Sequence, residues 1–498
     1  MHKLSNVQRI VDLSWFNSLR HQEFVIRGEL ENILYHEEIL WKQKLRCEWL
    51  KLGDRNTSYF HIRTLQRRKF NKITALRGAY GNWVFDQDTL KSEAVNFFQK
   101  LYGEDPSSVG NLPRSAFPGL NSEDVDFLEQ NVTNEEIKVQ NPDNFSQLRP
   151  ISLCSVLYKL VMKIIANRFK IIFSKIISQE QAGFIAGRSI INNVIIAQEV
   201  LHSMRVKKSL QWMAIKIDLE KAYDRVRWDF VEASLIAVGI PSHSVKVIMN
   251  AIMLSSMQVL WNGVPTQKFK PIRGIRQGCP LFSYFFVLWM EWLGHRFHGS
   301  ILVREWSPIR LSCSKLSLLH LFFADDLVIF SRADVVHSGL LTKFLSNFCK
   351  ISGHKVNARK TNVFFSTGVN ISSRNEINDI LGFQKVNDLG HYLGVPLFHR
   401  RVTKSILDFL VDGVRSRLSS WDAKSLSFTG RVTLAQSILL SIPRYFIQSS
   451  LVPKGVFAAI EGLTRQFIWG TVEGKSKIAL VKWEDLCQPK INGGLGFR

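Results

Sequence analysis

Asp325 and Asp326 stand side by side inside Leu321-Phe322-Phe323-Ala324-Asp325-Asp326-Leu327-Val328-Ile329-Phe330. Two adjacent carboxylates between large apolar residues are costly unless something neutralises them. The apolar, aromatic stretch Leu316 to Phe330 is broken only at Ala324-Asp325-Asp326, which predicts a β-hairpin with acids at its turn. A third acid, Asp218, ends the strand pattern Met213–Ile217, in which Met213, Ile215 and Ile217 share one face and Ala214 and Lys216 the other. A divalent cation is the direct remedy for such crowding, and hard cations prefer carboxylate oxygens. Three carboxylates from two strand ends suit two Mg²⁺ ions, with Mn²⁺ as an alternative. Such a pair activates a 3′-hydroxyl and stabilises a pyrophosphate leaving group in nucleotidyl transfer. A paired or helix-capping acid stays open as the alternative for Asp218 alone, and fits the adjacent pair less well.

Charge points the same way. Lys and Arg number 65 against 42 Asp and Glu, a formal net charge of +23, which favours polyanionic partners, nucleic acid before anionic membrane. A merely soluble basic protein is the plainer alternative. With 46 % apolar and 21 % charged residues, a disordered or collagen-like chain is excluded. The six cysteines (Cys47, Cys154, Cys279, Cys313, Cys349 and Cys487) never fall within four residues of each other, so there is no C-x-x-C zinc pattern. Their sparsity fits a reducing compartment. Met1 to Phe16 lacks the apolar core of a signal peptide, and Leu281 to Met290 is too short to span a bilayer and stops at Glu291. The expectation is a nuclear or cytoplasmic protein with no membrane partner.

Four regions follow from patterning. Residues 1–75 read as basic and helical, with Arg63, Arg67, Arg68, Lys69 and Lys72 placed to hold phosphates or simply to form a solvated face. Residues 76–146 mix weak helices with turn signals, including the Pro- and Ser-rich stretch Gly103 to Pro118 and the cluster Asn141-Pro142-Asp143-Asn144. From 147 to 396, helix and strand patterns alternate: helical spacing over Val156–Ile177 (Leu160, Ile164, Ile165, Phe169, Ile172) and again over Trp228–Val238. Beyond 397 the chain reads as helical. Ile406, Phe409, Leu410, Val414, Leu418 and Trp421 form one buried face, and a second helix is expected from near Thr429 to just before Pro443.

The words around the acids carry a resemblance. Phe323-Ala324-Asp325-Asp326 resembles the F/Y-x-D-D box of reverse transcriptases, and Asp218-Leu219-Glu220-Lys221-Ala222-Tyr223-Asp224 their D-x-x-K-A-[FY]-D box. Arg276-Gln277-Gly278-Cys279-Pro280-Leu281 resembles R-Q-G-x-P-L, and Leu148-Arg149-Pro150-Ile151-Ser152-Leu153 the fingers box R-P-I-S-L. Gly187-Arg188-Ser189-Ile190, Gly353 to Thr361 and Tyr392-Leu393-Gly394-Val395-Pro396 match further boxes, all in order, with about 107 residues between Asp218 and Asp325. Trp49 to His61 and Gly493 to Phe497 are similar to segments flanking the polymerase, so the likeness to plant non-LTR (LINE-type) retrotransposon polyproteins covers nearly the whole chain.

The resemblance implies an α+β right-hand polymerase. A basic helical region, 1–137, precedes fingers and a palm with a small antiparallel sheet, 138–396, and a helical thumb follows, 397–498. It implies metal ligation by Asp218, Asp325, Asp326 and the carbonyl of Leu219. Tyr223 would pack under the incoming sugar and exclude a 2′-hydroxyl. Gln277 and Gly278 would lie on the template base pair, Arg149 on the triphosphate and Lys360 beside the leaving pyrophosphate. The partners implied are an RNA template, a DNA primer and deoxynucleoside triphosphates. Departures matter as well. Thr133-Asn134-Glu135-Glu136-Ile137 runs almost directly into Lys138-Val139-Gln140-Asn141-Pro142, where relatives carry a K-A-P-G-P-D-G box, so part of the fingers is expected to be missing. Phe282-Ser283-Tyr284 and Ala186-Gly187-Arg188 each lack a usual proline. Endonuclease, ribonuclease H and zinc-knuckle patterns are not found in these residues. A catalytically inactive nucleic-acid-binding remnant of the same fold is the alternative, and a different two-metal phosphodiesterase is the weaker third reading. His320, five residues before Asp325, is expected to pack within its strand.

Overall fold

Short strands rich in β-branched and aromatic residues build one mixed sheet: β1 (Trp212–Ile217), β2 (His320–Phe323), β3 (Asp326–Arg332), β4 (Asn362–Phe365) and β5 (Gln384–Lys385). Their order across the sheet is β5-β4-β1-β3-β2, with β5 parallel to β4 and every other pair antiparallel. The central β1 pairs β3 from Trp212↔Arg332 to Ile217↔Leu327, and β4 from Met213↔Phe365 to Lys216↔Asn362. The computed structural model describes residues 72–77, 82–103, 117–133, 156–207, 209–275, 278–310, 317–397, 407–419, 428–449, 452–472, 475–476 and 481–495, with positions 65 and 69.

Two compact units divide the chain: residues 74–141 with 149–401, and residues 1–73 and 142–148 with 402–498. In the first, the sheet is backed by α1 (Gln87–Gly103), α2 (Ser122–Glu129), α3 (Val156–Ile176), α4 (Ile190–Val206) and α5 (Ala222–Arg225), then α6 (Trp228–Val238), α7 (Ser242–Met253), α8 (Pro280–Leu302), α9 (Val335–Ser352) and α10 (Ile371–Leu381). The core centres on α8, whose apolar residues run round the whole helix: Phe285, Phe286, Val287, Trp289 and Met290 are all fully buried. Around it, Phe285 meets Phe169 of α3, Trp292 meets Phe230 of α6, and Phe297 meets Phe344 of α9. Each such side chain contributes about 1.5–3 kcal/mol by leaving water. Pro280 occupies the first turn of α8, where its missing N–H costs nothing, so the helix runs on through Phe282-Ser283-Tyr284 without a second proline. No described helix is long and apolar enough to cross a membrane.

Most element expectations match: α3 ends at Ile176, α6 spans Trp228–Val238, and β1 starts one residue before Met213. His320 lies in β2 and is fully buried. In the second unit, α11 (Asp408–Ser419), α12 (Phe428–Ser449) and α13 (Lys454–Trp469) pack pairwise. Leu410, Val414 and Leu418 are buried as the spacing predicts, whereas Phe409 is 37 % exposed, its ring against Phe446 at 5.4 Å; Ile406 and Trp421 lie outside the described residues. The expected stop before Pro443 is corrected: α12 continues through it to Ser449. A proline there removes one main-chain hydrogen bond, a cost that packing along a 22-residue helix outweighs.

Candidate active site

The β2–β3 hairpin closes with Phe323↔Asp326 as its last pair, so Ala324 and Asp325 form a two-residue loop and Asp326 opens β3. Asp325 is therefore exposed and Asp326 half-buried. On the neighbouring strand the last pair is Ile217↔Leu327, which puts Asp218 one step past it, opposite Asp326. Three carboxylates thus meet at one end of two adjacent strands. Their mutual field registers at Asp326: burial raises its pKa, Asp325 and Asp218 raise it further, and Lys216 lowers it. Like charge that Lys216 relieves only in part is what a cation removes. Among the described residues, no three acidic, histidine or cysteine side chains form a ready-made metal cage. The donor set suits Mg²⁺ nonetheless, since that ion keeps substrate phosphates and waters among its ligands rather than requiring an all-protein shell.

Backbone contacts hold Asp218 from the β4 side. Its N–H donates to Thr361 Oγ1 at 3.2 Å, and its carbonyl accepts from Asn357 N–H at 2.9 Å. Glu220 N–H donates to the Lys355 carbonyl at 2.8 Å, so Leu219 and Val356 form an isolated antiparallel bridge between these two bonds. Alternation along an extended chain then turns the Leu219 carbonyl away from residues 355–357, toward the hairpin side. Lys360 sits on the 357–361 turn that makes these bonds, with its side chain exposed. Tyr223 lies on α5 and stacks on Phe286 with centroids 4.8 Å apart. Burial first and the Asp325 charge second push its phenol up to about 12. Gly278 has φ +93°, a backbone open to glycine, two residues before Pro280 begins α8. Arg149 and Gln277 lie outside the described residues, as do residues 134–155, where the fingers were expected to be shortened.

Sequence reasoning missed the residues that hold the hairpin. Segment 180–182 lies parallel to the free edge of β2: Phe322 N–H donates to the Glu180 carbonyl and Ala182 N–H to the Phe322 carbonyl, each at 2.9 Å. The buried Gln181 then accepts from Ala324 N–H at 3.1 Å and Gly183 N–H at 2.9 Å, while Asn193 Nδ2 donates to the Phe322 carbonyl at 3.1 Å. Ala324 has φ +52°, costly for any residue with a Cβ, and these bonds hold it there. A Cβ on Gly183 would sit 2.6 Å from Ala324 N, so only glycine permits this approach. Arg188, in a box matched by sequence, turns inward: its guanidinium donates to the carbonyls of Ile177, Ser178 and Gln181. His354 is likewise structural, buried and stacked on Phe348. Tyr392 is fully buried, and its hydroxyl donates to the Leu321 carbonyl at 3.3 Å. The visible signal for Gln181 and Gly183 was their position ahead of the Gly187-Arg188 box; nothing local identified their partner.

The αβ unit that gathers these acids at adjacent strand ends is the part of the chain that the comparisons match. The model of the family described as "Reverse transcriptase (RNA-dependent DNA polymerase)" matches residues 139–397, more than half of the chain. The chain belongs to that family. Among curated relatives, it is 23 % identical over 500 aligned positions, 86 % of this chain and 37 % of the relative, to the Transposon TX1 uncharacterized 149 kDa protein of Xenopus laevis. It is 29 % identical, over 52 % of this chain and 22 % of the relative, to the Pol polyprotein from the type-2 retrotransposable element R2DM of Drosophila melanogaster. A shorter match, 38 % identical over 21 % of this chain and 17 % of the relative, is to the Putative ribonuclease H protein At1g65750 of Arabidopsis thaliana. The chain spans well under half the length of these relatives. Apo telomerase from Candida tropicalis aligns over 84 % of this chain and 73 % of its own at TM-score 0.38 and 11 % identity.

Proposed function

We propose that this chain is the RNA-directed DNA polymerase portion of a plant non-LTR (LINE-type) retrotransposon protein, adding deoxynucleotides to the 3′-hydroxyl of a DNA primer on an RNA template. The observation that carries the reading is the convergence of Asp218, Asp325 and Asp326 at adjacent strand ends, with the pKa of Asp326 raised by burial and then by its acidic neighbours. Asp218, Asp325, Asp326 and the Leu219 carbonyl would hold two Mg²⁺ ions, with Mn²⁺ able to substitute. When bound, the ions supply charge neutralisation for the triphosphate and acidify the primer hydroxyl. Tyr223 presents its ring to the sugar and leaves no room for a ribose 2′-hydroxyl. Gln277 and Gly278 lie along the template base pair, Arg149 grips the triphosphate through its guanidinium fork, and Lys360 faces the leaving pyrophosphate.

In this reading residues 1–137 precede the polymerase, 138–396 are fingers and palm, and 397–498 the thumb. A net charge of +23 supports sequence-independent, salt-sensitive contact with the template–primer backbone, in the nucleus or cytoplasm. One observation favours a second reading. The near-direct junction at Ile137-Lys138 leaves little chain for the fingers, which suits a binding remnant that no longer catalyses. Primer extension on a primed RNA template with Mg²⁺ and deoxynucleotides separates the two, with the Asp325→Ala/Asp326→Ala variant as reference. Extension by the parent alone supports the polymerase. Salt-sensitive template binding without extension by either supports the remnant.

A further inference from the structure

Helix α1 lies before the family-matched residues 139–397, yet it is built into the same compact unit as the acids. Its last turn meets both segments that flank the nucleotide side of the site. Tyr102 is buried, and its hydroxyl donates to Asp224 Oδ1 at 2.5 Å. Burial and that carboxylate raise the phenol's pKa, so it stays protonated and remains the donor. One turn back, Lys221 Nζ lies 4.0 Å over the Phe97 ring. Asp224 and Lys221 bracket Tyr223 on α5, and Asp224 N–H closes the turn on the Lys221 carbonyl at 2.9 Å.

The same helix end grips residues 272–275, which lead into Arg276-Gln277-Gly278. Ile272 N–H donates to the Tyr102 carbonyl at 2.9 Å, and Arg273 Nε to the Leu101 carbonyl at 2.7 Å. Ile275 N–H then donates to the Tyr223 carbonyl at 2.8 Å. Gly274 sits where the three meet: a Cβ there would lie 2.5 Å from the Asp224 carbonyl oxygen and 2.8 Å from the Tyr102 ring. The Tyr102 hydroxyl is thus a side-chain hydrogen bond that ties α1 to the turn carrying Tyr223, beside the Lys221 contact with Phe97.

We propose that Tyr102 is a positioning residue for the sugar side of the nucleotide pocket, acting through Asp224 to fix Tyr223 and so setting how strictly a ribonucleotide is refused. This rests on the polymerase reading above. The bond is charge-assisted, and a half-buried Asp224 left without its donor must shift toward water, carrying Tyr223 with it. The main-chain bonds to residues 272–275 survive in Tyr102→Phe, so the fold persists while the pocket loosens.

The test is single-nucleotide extension by Tyr102→Phe against the parent, with matched deoxy- and ribonucleoside triphosphates. The ratio of kcat/KM, deoxy- over ribonucleotide, falls about tenfold, mainly through a lower KM for the ribonucleotide, a change of the size expected for loss of one hydrogen bond to a charged group. Asp224→Asn, which keeps an acceptor oxygen, retains more of the ratio than Asp224→Ala. Ser234→Ala, which removes a buried bond to Trp292 behind the sheet, lowers the melting temperature without moving the ratio. An unchanged ratio in an active Tyr102→Phe enzyme overturns the proposal. Amide hydrogen exchange tests it without activity: residues 221–225 exchange faster in Tyr102→Phe while β1 and β3 do not change. If the parent does not extend primers, the polymerase reading fails, and exchange alone decides whether Tyr102 holds the turn. Unaltered exchange at 221–225 overturns that role.

Discussion

Two groups of perturbed ionisable side chains occupy the same compact unit; burial is the first cause in each, and they differ in exposure. At the strand ends, Asp326 is half-buried and Asp325 exposed, and the rise at Asp326 comes partly from neighbouring carboxylates. Behind β2, Glu291 is 1 % exposed and His320 fully buried. Burial dominates both: it pushes Glu291 up to about 7 and His320 down to about 3. Glu291 accepts from Ser178 N–H and Oγ–H, whereas neither ring nitrogen of His320 has a hydrogen-bond partner. A site able to take up a cation and a phosphate needs uncompensated charge that substrate can reach. The strand-end group has it. The group behind β2 has perturbation without access, and is a cost to the fold rather than a place for chemistry.

The largest test of that contrast is at the acids. Asp325→Asn and Asp326→Asn each lower primer extension on the order of a thousandfold, the loss expected when a metal ligand goes. Stability moves the other way at Asp326. Its folded pKa lies above the unfolded value, so its contribution is full at low pH and is lost as pH rises through the folded pKa. Asp326→Asn is therefore as stable as the parent or more so at pH 8, by thermal melting. A variant that loses activity only because it unfolds would show that these acids are structural after all.

Gly183→Ala tests the hairpin support at the next magnitude. Its Cβ would displace the Ala324 backbone, costing about 1–3 kcal/mol of stability. A shift of the acids by a fraction of an ångström lowers extension roughly tenfold to a hundredfold. Wild-type extension by Gly183→Ala would mean that the turn is held without segment 180–183.

This support also marks where sequence reading stops. The acids, their strands and α6 were legible because each signal is local: an alternating or 3.6-residue pattern, or a charge among apolar neighbours. Gln181, Gly183 and Tyr102 were not, because their partners lie 143, 141 and 122 residues away and bond mostly through backbone groups that any residue carries. Arg188 was legible only in part. Its box is matched by sequence with no role attached, and its guanidinium is spent on three carbonyls. Pro443 reads as a helix stop because the local rule is sound, but helix packing outweighs it.

Glu291→Gln addresses the sealed group. Between pH 4.5 and about 7 the folded state holds the Glu291 proton that the unfolded chain has released, so stability falls as pH rises across that window. The full effect is about 3 kcal/mol. In Glu291→Gln the falling limb flattens, and at pH 8 the variant resists denaturant better than the parent. Activity per folded molecule stays within a few-fold, since Glu291 touches Ser178 rather than the acids.

His320→Leu gives the smallest shift over the range from pH 8 to pH 5, and the opposite slope. The neutral imidazole lies against Phe322 and Phe297, with centroids 4.1 and 5.9 Å away, and protonation would leave a buried cation. Its folded pKa of about 3 lies below the ordinary 6.5, so its contribution is full above 6.5 and is lost as pH falls. From pH 6.5 to about 5 that loss is roughly 2 kcal/mol. His320→Leu removes this acid sensitivity, while His354, lowered to about 4 by the same burial, keeps its own. At pH 8 leucine costs little, because it replaces a ring whose nitrogens make no bonds. Chemical denaturation at pH 8 and pH 5 reads both limbs. A His320→Leu protein as acid-sensitive as the parent would mean that this histidine finds a proton acceptor on acidification, and the group behind β2 would then resemble the acidic edge more closely than its burial indicates.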